Sequence, residues 1–236
     1  MKTIGLIGGT TWESTQLYYK IINETVREKL EKNHSAKILL YSLDFEELIQ
    51  IKGDNKKLAE FITQIALKLE KAEADFLLIC ANTLHIVYEQ VQNNINIPIL
   101  NIIDVTGKEI QKSGVKKVGL LGTTTTMEKS FYKDRLKSNF EIDAITPAAS
   151  ERNLIQNVIF NELALGKIQE SSKKEFISII NSLIQKGAEG IILGCTEIPL
   201  LIKQEDVNIP IFDTTFLHAT AAVEKAALAE NFRITE

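Results

Sequence analysis

Set against itself at an offset of 114 positions, this chain repeats. Ile4-Gly5-Leu6-Ile7-Gly8-Gly9 returns as Val118-Gly119-Leu120-Leu121-Gly122-Thr123, and Glu73-Ala74-Asp75-Phe76-Leu77-Leu78-Ile79 is echoed by Gly187-Ala188-Glu189-Gly190-Ile191-Ile192-Leu193. A third element, Asn96-Ile97-Pro98-Ile99, recurs as Asn208-Ile209-Pro210-Ile211 at an offset of 112. A duplicated chain folds into two copies of one architecture, and a site built from it is expected to have two matching halves. At the first offset Cys195 falls opposite Ala81, so only one half carries a thiol at that point.

Within each copy, short apolar runs bounded by turn residues alternate with longer stretches of helical period, the pattern of parallel strands joined by crossover helices. Strands are expected at Thr3–Ile7, Lys37–Tyr41, Phe76–Cys80, Ile99–Ile102, Lys117–Leu121, Gly190–Gly194 and Pro210–Phe212. Helices are expected at Thr15–Leu30, Asp54–Glu73, Met127–Lys137, Glu151–Leu165, Ser172–Lys186 and Phe216–Glu230. The second of these carries Leu58, Phe61, Ile62, Ile65, Ala66 and Leu69 at three- and four-residue spacing, one buried stripe with lysines and glutamates opposite. Ser172 with Glu175 three residues on reads as a capping box. The fold class is therefore α/β: two pseudo-symmetric, doubly wound parallel-sheet domains with the site in the cleft between them. The expected domains are 1–98 plus 212–236, and 99–211. No low-complexity linker separates the copies, which implies that they exchange a terminal segment.

Composition narrows the function. A net charge of −4, with acids and bases interspersed, gives no basic field for nucleic acid. No stretch approaches the roughly 18 apolar residues of a membrane span, and no targeting segment precedes the first strand, so a cytoplasmic protein is expected. The two cysteines lie in equivalent parts of the two copies and read as thiols rather than a disulfide. No His, Cys and acid cluster has metal-ligand spacing.

In open parallel sheets ligands bind outside the carboxyl ends of the strands, where helix N-termini offer amide donors. Four segments qualify: Gly8-Gly9-Thr10-Thr11, Asn82-Thr83, Thr123-Thr124-Thr125-Thr126 and Cys195-Thr196-Glu197. Glycine, threonine and asparagine there suit a small polar ligand with a carboxylate, although threonine and asparagine also serve as ordinary helix caps. Gly5-x-x-Gly8-Gly9 lacks the full dinucleotide fingerprint, and no Walker-type sequence is present. Cys195 is the candidate reacting group, since a helix N-terminus beside a strand-end thiol is expected to stabilise its thiolate.

Taken together, Gly8-Gly9-Thr10-Thr11-Trp12-Glu13-Ser14-Thr15, Cys80-Ala81-Asn82-Thr83-Leu84-His85, Gly122-Thr123-x-x-Thr126-Met127-Glu128 and Gly194-Cys195-Thr196-Glu197-Ile198 resemble the cofactor-independent aspartate/glutamate racemases, across the whole chain. That resemblance implies an amino-acid substrate between two α/β domains, with a base on each side of its α-carbon. No pyridoxal phosphate, metal or other cofactor is implied. By the same resemblance Cys195 is one base, and Asn82, Thr83, Thr123, Thr126 and Thr196 hold the α-carboxylate and amino group. Gly9, Thr10, Ala81, Thr124 and Glu197 complete the expected substrate-binding set, and a homodimer is expected by analogy.

The departures are equally specific. Family members with two thiols carry cysteine directly before Asn-Thr, where this chain has Ala81. Cys80 is one step earlier and, because strand side chains alternate, should face away from the site unless a bulge turns it. With Cys80 turned away, Thr83 or a water near Asn82 could relay the second proton, the chain could be a single-cysteine lyase or isomerase of the same superfamily, or it could bind an amino acid without catalysis. The regions that supply cations to an acidic side chain in relatives read Asp44-Phe45-Glu46-Glu47 and Leu163-Ala164-Leu165 here, leaving Arg152 and Lys133 as substitutes. Of the histidines only His85 lies in a motif, where a supporting role is expected.

Overall fold

The computed structural model describes residues 1–51 and 53–227; the last three residues of the helix expected from Phe216 lie outside these. The first copy runs β1 (Ile4–Gly8), α1 (Trp12–Leu30), β2 (Ile38–Ser42), α2 (Phe45–Gln50), α3 (Asn55–Lys71), β3 (Phe76–Ile79), a 3₁₀ turn over Thr83–Val87, α4 (Tyr88–Gln92) and β4 (Ile99–Leu100). The second runs α5 (Ile102–Ser113), β5 (Lys117–Gly122), α6 (Thr124–Glu128), α7 (Ser130–Phe140), β6 (Asp143–Ile145), α8 (Ala149–Asn161), a 3₁₀ turn over Leu163–Leu165, α9 (Glu170–Gln185), β7 (Gly190–Gly194), α10 (Ile198–Leu201), a 3₁₀ turn over Gln204–Asp206, β8 (Ile211–Asp213) and α11 (Thr214–Ala227).

Two parallel four-stranded sheets result, ordered β2-β1-β3-β4 and β6-β5-β7-β8. The chain forms two compact units, Met1–Ile102 with the chain from His218 on, and Ile103–Leu217. In the first, β1 and β3 are buried along their whole length, as parallel strands covered on both faces must be. Alternation then sorts their side chains. Ile4, Leu6, Phe76, Leu78 and Cys80 pack with Tyr18, Ile22 and Val26 of α1 and with Ala219, Ala222, Val223 and Ala226 of α11. Ile7, Leu77 and Ile79 pack on the other face with Ile62, Ile65, Ala66 and Leu69 of α3, and Ala81 joins that cluster at its edge. In the second unit Leu121, Ile191 and Leu193 meet Ile155 and Ile159 of α8 and Phe176, Ile180 and Leu183 of α9, and Cys195 joins this cluster. Ala81 and Cys195 thus hold matching places on matching faces.

The differences from expectation are local. β6 has only three residues, too short to show a period, and the sequence analysis has no counterpart for it. Ile102, expected to end a strand, begins α5 instead. The single helix expected over Met127–Lys137 is two, broken at Lys129, whose ψ of 147° is extended. The helix expected over Glu151–Leu165 passes into a 3₁₀ turn after Asn161. The Ser172 capping box does not form, because α9 begins earlier, with Gln169 as its cap, and the Ser172 hydroxyl donates to Glu162 at 2.6 Å.

Gly9 shows how tightly the first strand end is drawn in. Its φ is 92°, and a β-carbon there would run into the Leu43 backbone, whose N–H donates to Gly8 O at 3.0 Å. Gly53 has a similar φ of 90° with nothing within 4 Å. Gly9→Ala should therefore cost more than the roughly 1–3 kcal/mol of a left-handed non-glycine residue, whereas Gly53→Ala should stay within that range. Thermal denaturation of the two variants checks the ordering.

Candidate active site

In the second unit β5 and β7 lie side by side with Gly122 opposite Gly194. A β-carbon on Gly122 would stand 2.9 Å from Gly194 O, and one on Gly194 would stand 2.8 Å from Leu121 O, so only glycines allow this approach. Fully buried Thr126 lies over the pair. Thr123 caps α6, its hydroxyl accepting from Thr126 N at 3.4 Å and lying 3.2 Å from the Thr126 hydroxyl. The N–H and hydroxyl of Thr124 both donate to Gln156 Oε1 at 2.8 Å. Gln156 comes from α8, 32 positions on, and no sequence signal marks it.

Beyond β7 the Cys195 thiol donates to Glu197 Oε2 at 2.8 Å, and the Thr196 hydroxyl donates to the same oxygen at 2.7 Å. Both neighbours are buried, Glu197 being 7% exposed. Burial first, then the Glu197 charge and hydrogen bond, push the Cys195 thiol well above the ordinary thiol range and outweigh the backbone amides of Glu197 and Thr196. In the free protein the surroundings of Cys195 thus favour the thiol over the thiolate, opposing the dipole stabilisation expected of a helix N-terminus. α10 has only four residues and little dipole, whereas a carboxylate lies in direct contact. Chemically this is a thiol with a built-in proton acceptor.

The first unit repeats the layout without the thiol. Cys80 is 1% exposed among the hydrocarbons beneath α1 and α11, where burial raises its pKa, so the structure turns it away from the face that Ala81 occupies. Asn82 is buried, and half-buried Thr83 starts the 3₁₀ turn. Gly9 N donates to Thr15 Oγ1 at 2.8 Å, and Thr11 caps α1, so much of the first glycine loop is spent on capping. The Thr10 hydroxyl oxygen is buried and meets no hydrogen-bond partner among the described residues.

Two further sequence candidates are placed otherwise. Arg152 pairs with Glu128 at 3.0 Å and donates to Pro147 O at 2.6 Å, so a substrate carboxylate would have to compete for it. Asp44 caps α2, and Lys133 is half-buried on α7. Among the described residues no group of three or more His, Cys, Asp or Glu side chains could hold a metal, and no helix is long and apolar enough to cross a membrane.

Sequence reasoning missed the buried histidine pair behind the first half. His85 Nδ1 lies 2.9 Å from Ala81 O, and Ile102 N donates to His85 Nε2 at 3.2 Å. His218 Nε2 lies 2.8 Å from Leu100 O and Nδ1 2.8 Å from the Tyr18 hydroxyl. The motif around Asn82-Thr83 flagged His85, but His218 and Tyr18 are 200 positions apart.

The Asp/Glu/hydantoin racemase family profile matches residues 7–222. A Yersinia pestis structure described as a candidate Asp/Glu racemase superposes with a TM-score of 0.91 at 43% identity, covering 96% of this chain and all of that one. An aspartate racemase homologue from Pyrococcus horikoshii OT3 superposes with a TM-score of 0.87 at 40% identity and the same coverage. The broad specificity amino-acid racemase RacX of Bacillus subtilis is 28% identical over 173 residues, 72% of this chain and 73% of that protein.

Two pH dependences follow. Iodoacetamide should label Cys195 slowly at pH 7, with labelling rising only above pH 9, and Glu197→Gln should move the profile to lower pH by removing the adjacent charge; peptide mass spectrometry reads both. Burial, followed by the nearby His85, lowers the His218 pKa from 6.5 to about 3. The unfolded chain therefore takes up a proton below pH 6.5 that the folded chain refuses. Stability that is complete above pH 6.5 should fall by up to about 1.4 kcal/mol per pH unit down to about pH 3. The slope of Tm between pH 7 and 4 should flatten in His218→Gln.

Proposed function

The chain belongs to the Asp/Glu/hydantoin racemase family and is an isomerase of the racemase class; on that premise we propose that it racemises an acidic amino acid, aspartate or glutamate, with Cys195 as the base. The observation that carries this reading is the 2.8 Å contact between the Cys195 thiol and Glu197. Glu197 accepts the thiol proton, and the thiolate takes the proton from the substrate α-carbon. The electron pair left behind delocalises into the α-carboxylate, which the hydroxyls of Thr123 and Thr126 stabilise through hydrogen bonds as charge develops, joined by Thr196 once its hydroxyl releases Glu197. A proton delivered to the opposite face gives the other enantiomer.

Two features of the site shape this mechanism. The largest influences on the Cys195 thiol are burial and the Glu197 carboxylate, both favouring the thiol, so the α-ammonium of the substrate is the charge we assign to make the thiolate accessible. Deprotonation is then coupled to binding. The second proton is the harder part, since Ala81 offers only a methyl group and Cys80 lies in the core. Thr83, at the start of the 3₁₀ turn, is the relay we assign. Ala81 also favours a second reading, a single-cysteine lyase or isomerase that removes and returns a proton on one face.

Incubating the protein with each enantiomer of aspartate and glutamate in heavy water separates these readings. Racemisation puts deuterium on the α-carbon with inversion, whereas a one-base enzyme gives deuterium with retention. Binding with no exchange would sink the catalytic reading and leave an amino-acid-binding protein. Cys195→Ser should lower exchange by about 10²-fold or more, the usual worth of a positioned base. Ala81→Cys should raise the inverted fraction.

A further inference from the structure

The histidine pair of the first unit bears on the half of the reaction for which the sequence supplies no thiol. A backbone N–H can only donate, so His85 Nε2 must accept from Ile102, at 3.2 Å. A carbonyl can only accept, so the proton of the ring must sit on Nδ1, aimed at Ala81 O at 2.9 Å. Both ring nitrogens face backbone groups, which orients the ring of His85, 3% exposed. It joins Ala81, two residues after β3, to the first residue of α5.

His218 fixes the other end of the same short segment. Its Nε2 donates to Leu100 O at 2.8 Å and its Nδ1 accepts from the Tyr18 hydroxyl at 2.8 Å, so Leu100 and Ile102 are held from two sides by two rings whose centroids are 6.0 Å apart. Tyr18 is fully buried on α1 and supports the outer ring. Nothing in this arrangement is exposed enough to exchange protons with a substrate. What it defines is the direction of the Ala81 carbonyl, and with it the course of the chain through Asn82 and Thr83.

We propose that His85 is a positioning residue of the reaction, holding Ala81–Thr83 so that Thr83 can relay the second proton. The inference rests on the racemase reading above. It predicts an asymmetric defect: exchange with retention needs only Cys195 and Glu197, whereas inversion also needs the braced segment. A purely structural histidine would lower both together.

Three substitutions test this in heavy water with aspartate and glutamate. Asn reproduces Nδ1 and can keep the bond to Ala81 O, Gln reproduces Nε2 and can keep only the bond from Ile102 N, and Ala keeps neither. The ratio of inversion to exchange with retention should remain close to that of the unmodified protein in His85→Asn. In His85→Gln and His85→Ala it should fall by between about tenfold and a hundredfold, the usual cost of misplacing a reacting group by an ångström or so. Exchange through Cys195 should be largely kept. A parallel loss of inversion and exchange in all three variants, tracking a fall in Tm, would overturn the proposal, as would an unchanged ratio in His85→Gln. Should His85→Ala fail to fold, the Asn and Gln pair decides the matter. A protein that shows no exchange before any substitution would instead sink the racemase reading itself.

Discussion

The site depends on where the order of each parallel sheet reverses. With strands arranged 2-1-3-4 within each copy, the chain leaves β1 for one side and returns through β3 to the other, and β5 and β7 do the same in the second copy. Loops leaving adjacent strands at such a point diverge to opposite faces and leave an opening at the carboxyl edge. The glycine loop after β1, the Ala81–Thr83 segment, the Thr123–Thr126 turn and the Cys195–Glu197 segment all leave the sheets at these two points. The Gly122 and Gly194 backbones pack against each other there because neither carries a side chain, which brings the threonine turn against the end of the cysteine strand.

The two halves have diverged in chemistry while keeping their geometry. Ala81 and Cys195 pack against equivalent clusters, so one half carries a methyl group where the other carries a thiol. On the cysteine side, the acidity of the thiol is set by two opposing influences. Nearby amides favour the thiolate, whereas burial and the Glu197 carboxylate oppose it, and the latter win. On the alanine side, the polar groups are Asn82, Thr83 and the backbone that His85 and His218 hold in place.

Much of the fold was legible because burial on both faces leaves a strong imprint on sequence. The apolar runs of β1, β3, β5 and β7, the striped helix α3 and the duplicated glycines mark their elements directly. Alternation along the strand expected at Phe76–Cys80 pointed Cys80 and Ala81 to opposite faces unless a bulge intervened, and the two residues lie in different clusters. Short elements were less legible: β6 has three residues, and the break at Lys129 falls where the sequence has neither proline nor glycine to mark it. Arg152 read as a candidate cation because sequence shows its charge but not its partner, which is Glu128 on another helix.

The sequence by itself determined the duplicated α/β architecture, the four strand-end segments and the unequal pair of Cys195 and Ala81, because these follow from spacing and side-chain period within one stretch of chain. Only the tertiary structure decided the surroundings of the Cys195 thiol, the clamping of Thr124 by Gln156, the bond of His85 to Ala81 and the chain of contacts from Tyr18 through His218 to Leu100. The physical reason is that acidity and orientation depend on burial and on hydrogen-bond partners distant in the chain. A carboxylate two residues away can lie anywhere around a thiol until folding places its oxygen 2.8 Å from the sulfur.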